Sequence, residues 1–547
     1  MIRGPNVSSF AVVIVLVGIL TIPCLAQPQY LLTHHVRTVT ATGEAPLLSR
    51  LPANQSMQVD IVLALRDRAG LESFLQEIYD PSSPAFHHYV TIEQFAERFG
   101  PGQEDYDAVV RFAKENGLRV VGGSRNALDV QARGPVAAIE AAFHVTLSLY
   151  HDPAENRDFY APDREPAVDL PFQLWHISGL DNYALPRSAL KSRPEGVKPN
   201  ATTGSCPGAS FCGSDMRAAY YGKGPLTGSG QNIGLLEYAG FDIGDVKTYY
   251  KNANQVRKAP IKGISTDGTS ISCVYPACDD TEQTLDITQA LGMAPGVTTL
   301  YVFVGSTDTA LLGAMSSSTP LPLNLSSSWY WPPPDPSTDD PYFEKMAAQG
   351  QSYFEAAGDS GAWRSKNIWW PMESEYVICV GGTSVTTTGP GGPWASETTW
   401  VDGGGGISPD LVAIPSWQQL AGVITTTNKG STTYRNGPDV SANSDFTFYV
   451  CSDQQPCTEN YWGGTSFAAP MWAGYLALVN QQAATKGVSP PGFIDPTIYP
   501  LGLGPHYGSI FHDITTGNNG FPAVTGYDLA TGWGSPHGSG LIYALAP

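Results

Sequence analysis

Four short segments of this 547-residue chain combine residue types able to do covalent or acid–base chemistry. The string Gly463-Gly464-Thr465-Ser466-Phe467-Ala468-Ala469-Pro470 stands just before an apolar helix expected over 471–483. A serine reached through two glycines and followed by a buried helix presents its hydroxyl at the positive end of the helix dipole, and a proline is tolerated in the first turn. That is how a nucleophile is held exposed; a plain Ser N-cap before a core helix is the structural alternative. A serine nucleophile needs a base. The ten histidines are His34, His35, His87, His88, His144, His151, His176, His506, His512 and His537, so residues 177–505 contain none. A Ser-His-Asp arrangement with Asp and His ahead of Ser466 therefore cannot be built, and a carboxylate must activate the serine.

Glu282 and Asp286 are the natural pair, because a spacing of four in DTEQTLDITQALG puts both carboxyls on one face of a helix. Two like charges held close push one pKa upward, as a carboxylate base requires; a solvated acidic helix face is the bland alternative. In Ala357-Gly358-Asp359-Ser360-Gly361 a protonated Asp359 could donate a hydrogen bond to an oxyanion, where a carboxylate would repel it; a turn cap is the alternative. Near the C-terminus Asp513 and Asp528 stand among glycines that expose carbonyls, a pattern suited to calcium, with an Asp-capped Gly-rich turn as the alternative.

The elements around these residues indicate an α/β protein. From about 210 onward, apolar runs at 233–236, 297–304 and 376–380 alternate with helical patterns around 282–291 and 341–357, which predicts a mostly parallel sheet covered on both faces, with its ligands at the C-terminal strand ends. Residues 326–340 are expected to be an irregular loop because of their prolines. Residues 57–150 read as strand, helices at 71–79, 93–99 and 104–116, strands at 118–121 and 128–130, a helix at 136–142 and a final strand at 145–149, the split βαβ plan. Between them, 187–208 is polar, rich in Pro, Gly and Ser, and holds Arg187, Lys191, Arg193 and Lys198: a solvated linker and a proteolytic processing site.

Composition narrows the function class. With 30 basic residues against 50 acidic ones the net charge is -20, which excludes a polyanion-binding groove and hence nucleic acid. Residues 1–26 are expected to be an export signal: Arg3 precedes the apolar run 10–22, and Cys24-Leu25-Ala26 ends on a small residue. A membrane anchor and a lipid-modified Cys24 are the weaker readings, and no second spanning stretch follows. Cys206 with Cys212, Cys273 with Cys278 and Cys451 with Cys457 are expected to close local disulfides in an oxidising compartment, leaving Cys379 in a buried strand.

Together, GGTSFAAP at Ser466, the LDI that ends at Ile287, GDSGA at 358–362, GPDVSAN at 437–443 and the C-terminal HDI, GYD and TGWG strings resemble the sedolisin family of serine-carboxyl peptidases, preceded by a Pro-kumamolisin-like activation domain. The resemblance implies a subtilisin-like catalytic domain over 206–547, a ferredoxin-like α/β prodomain over 36–185 and a processing linker over 186–205. It implies Ser466 as nucleophile, Glu282 as base, Asp286 as its support and Asp359 as oxyanion partner. It also implies one structural calcium ion held by the side chains of Asp513 and Asp528 and main-chain oxygens of Ile514, Val524 and Gly526. The expected protein is an acid-acting endopeptidase made as a zymogen, cut in its linker on acidification. It is secreted or extracellular, or else periplasmic, takes protein or peptide substrates, and has its own prodomain as intramolecular inhibitor or chaperone. An idle extracellular binding module and an ester hydrolase are the rival classes. Ser326-Ser327-Ser328-Trp329-Tyr330-Trp331 with its proline run, and the short loop between Asp513 and Asp528, depart from the family pattern.

Overall fold

A computed structural model describes residues 1, 2, 4, 28–197, 203–366 and 368–547. The expected export signal lies almost wholly outside the described residues, as does 198–202 of the linker.

In the N-terminal module the alternating apolar positions form the strand Ser56–Val62, which buries Val59 and Ile61. It pairs antiparallel with Asp129–Pro135, and that strand with Arg119–Ser124. The helices Arg68–Ile78, Ile92–Arg98 and Gln103–Glu115 lie between, the second opened by a capping box of Thr91 and Gln94. The strand expected at 145–149 forms at Leu147–Asp152 but leaves this sheet. His144, at φ 55°, ends the helix Val136–Phe143, and the following strand pairs with Leu47–Arg50 and Arg157–Pro162 instead. His176–Ser178 takes the free edge beside Ser56–Val62.

The C-terminal region carries the expected α/β architecture, except that the helical pattern over 341–357 ends at Ala348 and, past Gly350 at φ 76°, becomes the strand Ser352–Ala356. Its large sheet runs in the order Ile261–Ser265, Thr299–Val304, Asn232–Glu237, Asn324–Ser327, Ser352–Ala356, Ile378–Thr387 and Trp394–Thr399, and Val440–Asn443 also pairs with Ile378–Thr387. Every pairing is parallel except that of Trp394–Thr399. The helix Thr465–Lys486 is buried without interruption from Thr465 to Asn480, so it is apolar on all sides rather than amphipathic.

Residues 326–340 are more regular than their prolines suggest. Trp329–Tyr330 is a short strand, and the helix Pro336–Ala348 starts with Pro336 in its first turn behind an Asp335 cap. Pro341, lacking an N–H, leaves the Ser337 carbonyl free, and Trp175 Nε1 of the N-terminal module donates to it at 2.6 Å. The two modules are joined further by the ion pair of Arg68 with Glu344 (3.1 Å), by the Thr309 hydroxyl donating to Asp60 (2.6 Å) and by the Tyr79 hydroxyl donating to the Ala347 carbonyl (2.7 Å). The three expected disulfides are present and Cys379 is a free, buried strand residue. Among the described residues no helix is long and apolar enough to cross a membrane.

Candidate active site

Glu282 and Asp286 lie on the helix Thr281–Met293, both buried. Ser466 is the second residue of its helix rather than the residue ahead of it, and is also buried. Pro470 has no N–H for the Ser466 carbonyl; Ser328 Oγ lies 3.3 Å from that oxygen and 2.9 Å from Asp286 Oδ1, so one hydroxyl ties the serine helix to the carboxylate helix.

The Ser466 and Ser188 hydroxyls stand near enough to Glu282 to favour its charged form, yet neither Glu282 oxygen has a hydrogen bond of good geometry. The Ser466 hydroxyl donates instead to the carbonyl of Ala189. Burial, then the neighbouring Asp286 charge, holds the Glu282 carboxyl well above the usual carboxylate range. Asp286 is raised in the same sense by burial and by the charge of Glu237.

Asp359 sits in the loop after Ser352–Ala356, opened by Gly358 at φ 95°. Its Oδ1 accepts the Thr465 N–H at 2.8 Å and the Thr465 hydroxyl at 3.0 Å. Its Oδ2 is fully enclosed and unpartnered. Burial pushes this carboxyl up to about 8 against the lowering effect of the Thr465 bonds, so below neutrality it is a neutral acid with a proton to donate. The four acid and serine positions expected from the sequence are thus brought together.

Two further acids face the same space. Glu237 ends the strand Asn232–Glu237 and its Oε2 accepts the Trp329 indole N–H at 2.8 Å. Glu355, on Ser352–Ala356, is buried with both oxygens unpartnered and held well above the usual range by burial. Glu237 had a visible signal, a lone acid at the C-terminal end of an apolar run, where parallel strands place functional groups, whereas Glu355 lay inside the pattern read as helical over 341–357.

The expected calcium site fails. Asp528 Oδ1 accepts the amides of Ala530 (2.9 Å) and Thr531 (2.8 Å) and the Thr531 hydroxyl (3.1 Å), and Oδ2 accepts the Val524 amide at 2.8 Å. Asp513 Oδ1 accepts the Tyr507 hydroxyl (3.1 Å) and the Gly526 amide (3.2 Å). Val524 and Gly526 therefore turn N–H groups toward these carboxylates, where a cation needs oxygens, and Ile514 is left without a partner set to join. Among the described residues no group of three or more His, Cys, Asp or Glu could hold a metal ion. Asp513 and Asp528 tie a Gly-rich loop.

Residues 45–182 match the family described as Pro-kumamolisin, activation domain, and residues 282–491 match the subtilase family. The chain is 30% identical over 544 residues to kumamolisin of Bacillus sp. (strain MN-32), covering 93% of this chain and 95% of that one. It is 27% identical to sedolisin of Pseudomonas sp. (strain 101), covering 91% and 88%, and 26% identical to xanthomonalisin of Xanthomonas sp. (strain T-22), covering 92% and 68%. The solved structure of Pseudomonas sedolisin, a serine-carboxyl proteinase complexed with two molecules of pseudo-iodotyrostatin, shares the fold with a TM-score of 0.53 at 24% identity, over 63% of this chain and 98% of that one. The chain belongs to the sedolisin family of serine-carboxyl peptidases. It is a peptide-bond hydrolase of the acid-acting serine endopeptidase type, a class that uses a Ser-Glu-Asp triad and is made as a zymogen.

Proposed function

We propose that Ser466 is the nucleophile of this endopeptidase and Glu282 the base that takes its proton, with Asp286 holding Glu282 and sharing that proton. Asp359, protonated, donates with the Ser466 N–H to the oxyanion. The observation that carries the reading is that a peptide carbonyl is already held by Ser466, through both its hydroxyl and its amide (3.3 Å), beside a buried Glu282. Asp359 Oδ2 is enclosed and unpartnered next to it. Glu237 and Trp329 position Asp286 from behind.

Residues 36–185 then form the activation domain, on a ferredoxin-like plan in which His176–Ser178 supplies the fourth strand, with 186–205 as processing linker and 206–547 as catalytic domain. The activation domain covers the cleft as an intramolecular inhibitor, and protein or peptide chains are the substrates after its removal. Secretion fits the three disulfides.

Glu282→Gln cannot accept the serine proton and is expected to lose about 10²-fold or more in kcat on an unfolded protein substrate. A folded Glu282→Gln enzyme cleaving as fast as the parent would overturn the assignment.

A further inference from the structure

The linker lies along the cleft in the register of a substrate and shows which side chains the cleft reads. Arg187–Ser188 pairs antiparallel with Trp329–Tyr330, and Lys191–Ser192 with Trp462–Gly463, Lys191 opposite Gly463. Strand addition of this kind grips a backbone regardless of sequence and leaves selectivity to the groups that meet alternate side chains. Ala189 sets the register. Its N–H donates to the Ser328 carbonyl at 2.8 Å, and its own carbonyl is the one held by the Ser466 amide and hydroxyl. The peptide bond facing Ser466 is therefore Ala189–Leu190, and Lys191 stands second past it.

Lys191 meets a charge there. Its Nζ lies 2.9 Å from Asp402 Oδ2, the two side chains being 36% and 27% exposed. Asp402 belongs to a turn fastened to the loop that carries Asp359. Its main-chain carbonyl accepts the Gly361 N–H at 2.8 Å, and the Gly404 N–H donates to the Gly358 carbonyl at 2.7 Å. A β-carbon on Gly404 would lie 1.8 Å from the Ala357 carbonyl oxygen, so the two loops touch backbone to backbone. The Asp402 carboxylate is thus held in place relative to the nucleophile by main-chain bonds that a change of its own side chain leaves intact. Behind burial and the Thr465 bonds, the Lys191 charge acts to lower the Asp359 carboxyl and the Asp402 charge to raise it, which places both beside the reacting centre.

Resting on the reading of Ser466 as nucleophile, we infer that Asp402 is a specificity residue, selecting protein substrates that carry lysine or arginine at the second position past the bond cut. An ion pair this open to water gives a graded preference rather than an absolute one, about two- to fivefold in kcat/KM over an apolar side chain of the same length. Glutamate at that position meets a like charge and is disfavoured against the apolar residue.

The test uses the enzyme after incubation in acid and quenched peptides of the sequence Arg-Ser-Ala-Leu-X-Ser-Arg-Pro, with X lysine, norleucine or glutamate and the cut bond read by mass. A fourth peptide has norleucine at X and lysine in place of the following serine. The expected order of kcat/KM is lysine, norleucine, glutamate, with the spread narrowing at about 1 M salt. The fourth peptide should behave as the norleucine one. In Asp402→Asn the three rates converge, and in Asp402→Lys glutamate becomes the favoured residue. A parent that does not distinguish lysine from norleucine, or an Asp402→Asn enzyme that keeps the parental order, overturns the inference. Equal favour for the displaced lysine also overturns it, because the net charge of -20 would then be attracting cations without regard to position. These outcomes leave the nucleophile untouched so long as Ser466→Ala cuts none of the peptides. A Ser466→Ala protein cutting as fast as the parent overturns the nucleophile and the inference with it.

Discussion

Asp359 offers the sharpest test of the proposed oxyanion assignment, because one of its carboxyl oxygens is enclosed and unpartnered and burial pushes its titration upward. With the linker peptide in place its carboxyl stands at about 8, so the relevant limb is that of the peptide-bound state, read from kcat or from single-turnover cleavage of the precursor. The neutral acid is the donor, so the rate must fall as pH rises through about 8. The neutral fraction is near unity at pH 5, about one half at pH 8 and about one tenth at pH 9. In Asp359→Asn the amide oxygen can keep the two Thr465 bonds that Oδ1 now accepts, which places Nδ2 where Oδ2 was. The donor survives without a titration, and the alkaline limb should vanish with the low-pH rate largely retained. Asp359→Ala removes the donor at every pH and should lose about 10²- to 10³-fold, the usual cost of one oxyanion-hole donor. Single-turnover profiles of the three proteins between pH 4 and 9 make the comparison. An Asp359→Asn profile that falls at the parental pH would refute the argument.

Glu237→Gln removes a like charge that raises Asp286, so the acid limb of kcat, assigned to the Glu282–Asp286 pair, should move to lower pH with a smaller loss of rate than in Glu282→Gln. Stripping with a chelator should leave the melting temperature unchanged, whereas Asp528→Ala, which orphans the amides of Val524, Ala530 and Thr531, should lower it equally with and without calcium. Burial raises Asp528, Asp340 and Glu344 to about 7 and Asp280 to about 6, so the folded chain holds protons that the unfolded chain has released. Stability contributed by these groups therefore grows as pH falls from 8 toward 5, and the Tm of Ser466→Ala precursor should be higher at pH 5 than at pH 8.

Much of the site was legible because its signals are local. A spacing of four between Glu282 and Asp286 fixes a shared helix face, and the absence of histidine from 177–505 removes the usual base without any knowledge of the fold. Glu237 stands at the C-terminal end of an apolar run, where a parallel strand presents its ligands, whereas Glu355 was harder because the run 341–357 reads as one helical pattern and does not show its break into a helix and a strand. Ala189 carried no signal, since a polar linker lacks periodicity and its strand pairing comes entirely from the walls it meets. The calcium expectation failed for a different reason. Aspartates and glycines in sequence do not reveal whether N–H or C=O groups turn toward the carboxylates, and here it is the N–H. In the N-terminal module the left-handed turn at His144 redirected a strand whose apolar pattern suited either sheet.

All three disulfides lie at or beyond Cys206, and each closes a loop between cysteines five or six residues apart. No cysteine occurs between residues 28 and 205, so nothing covalent except the main chain ties the two modules together. While that chain is whole, each cleft sees its own cover at the effective concentration of a tethered partner, on the order of millimolar for a short flexible tether. Once it is cut, occupancy depends on how much free cover the surrounding solution holds. Crowded together, freshly cut molecules restrain one another; diluted, they are released. If the N-terminal module inhibits the cleft as proposed, dilution after the cut releases activity on its own, and a lag that lengthens with enzyme concentration is its expected kinetic trace.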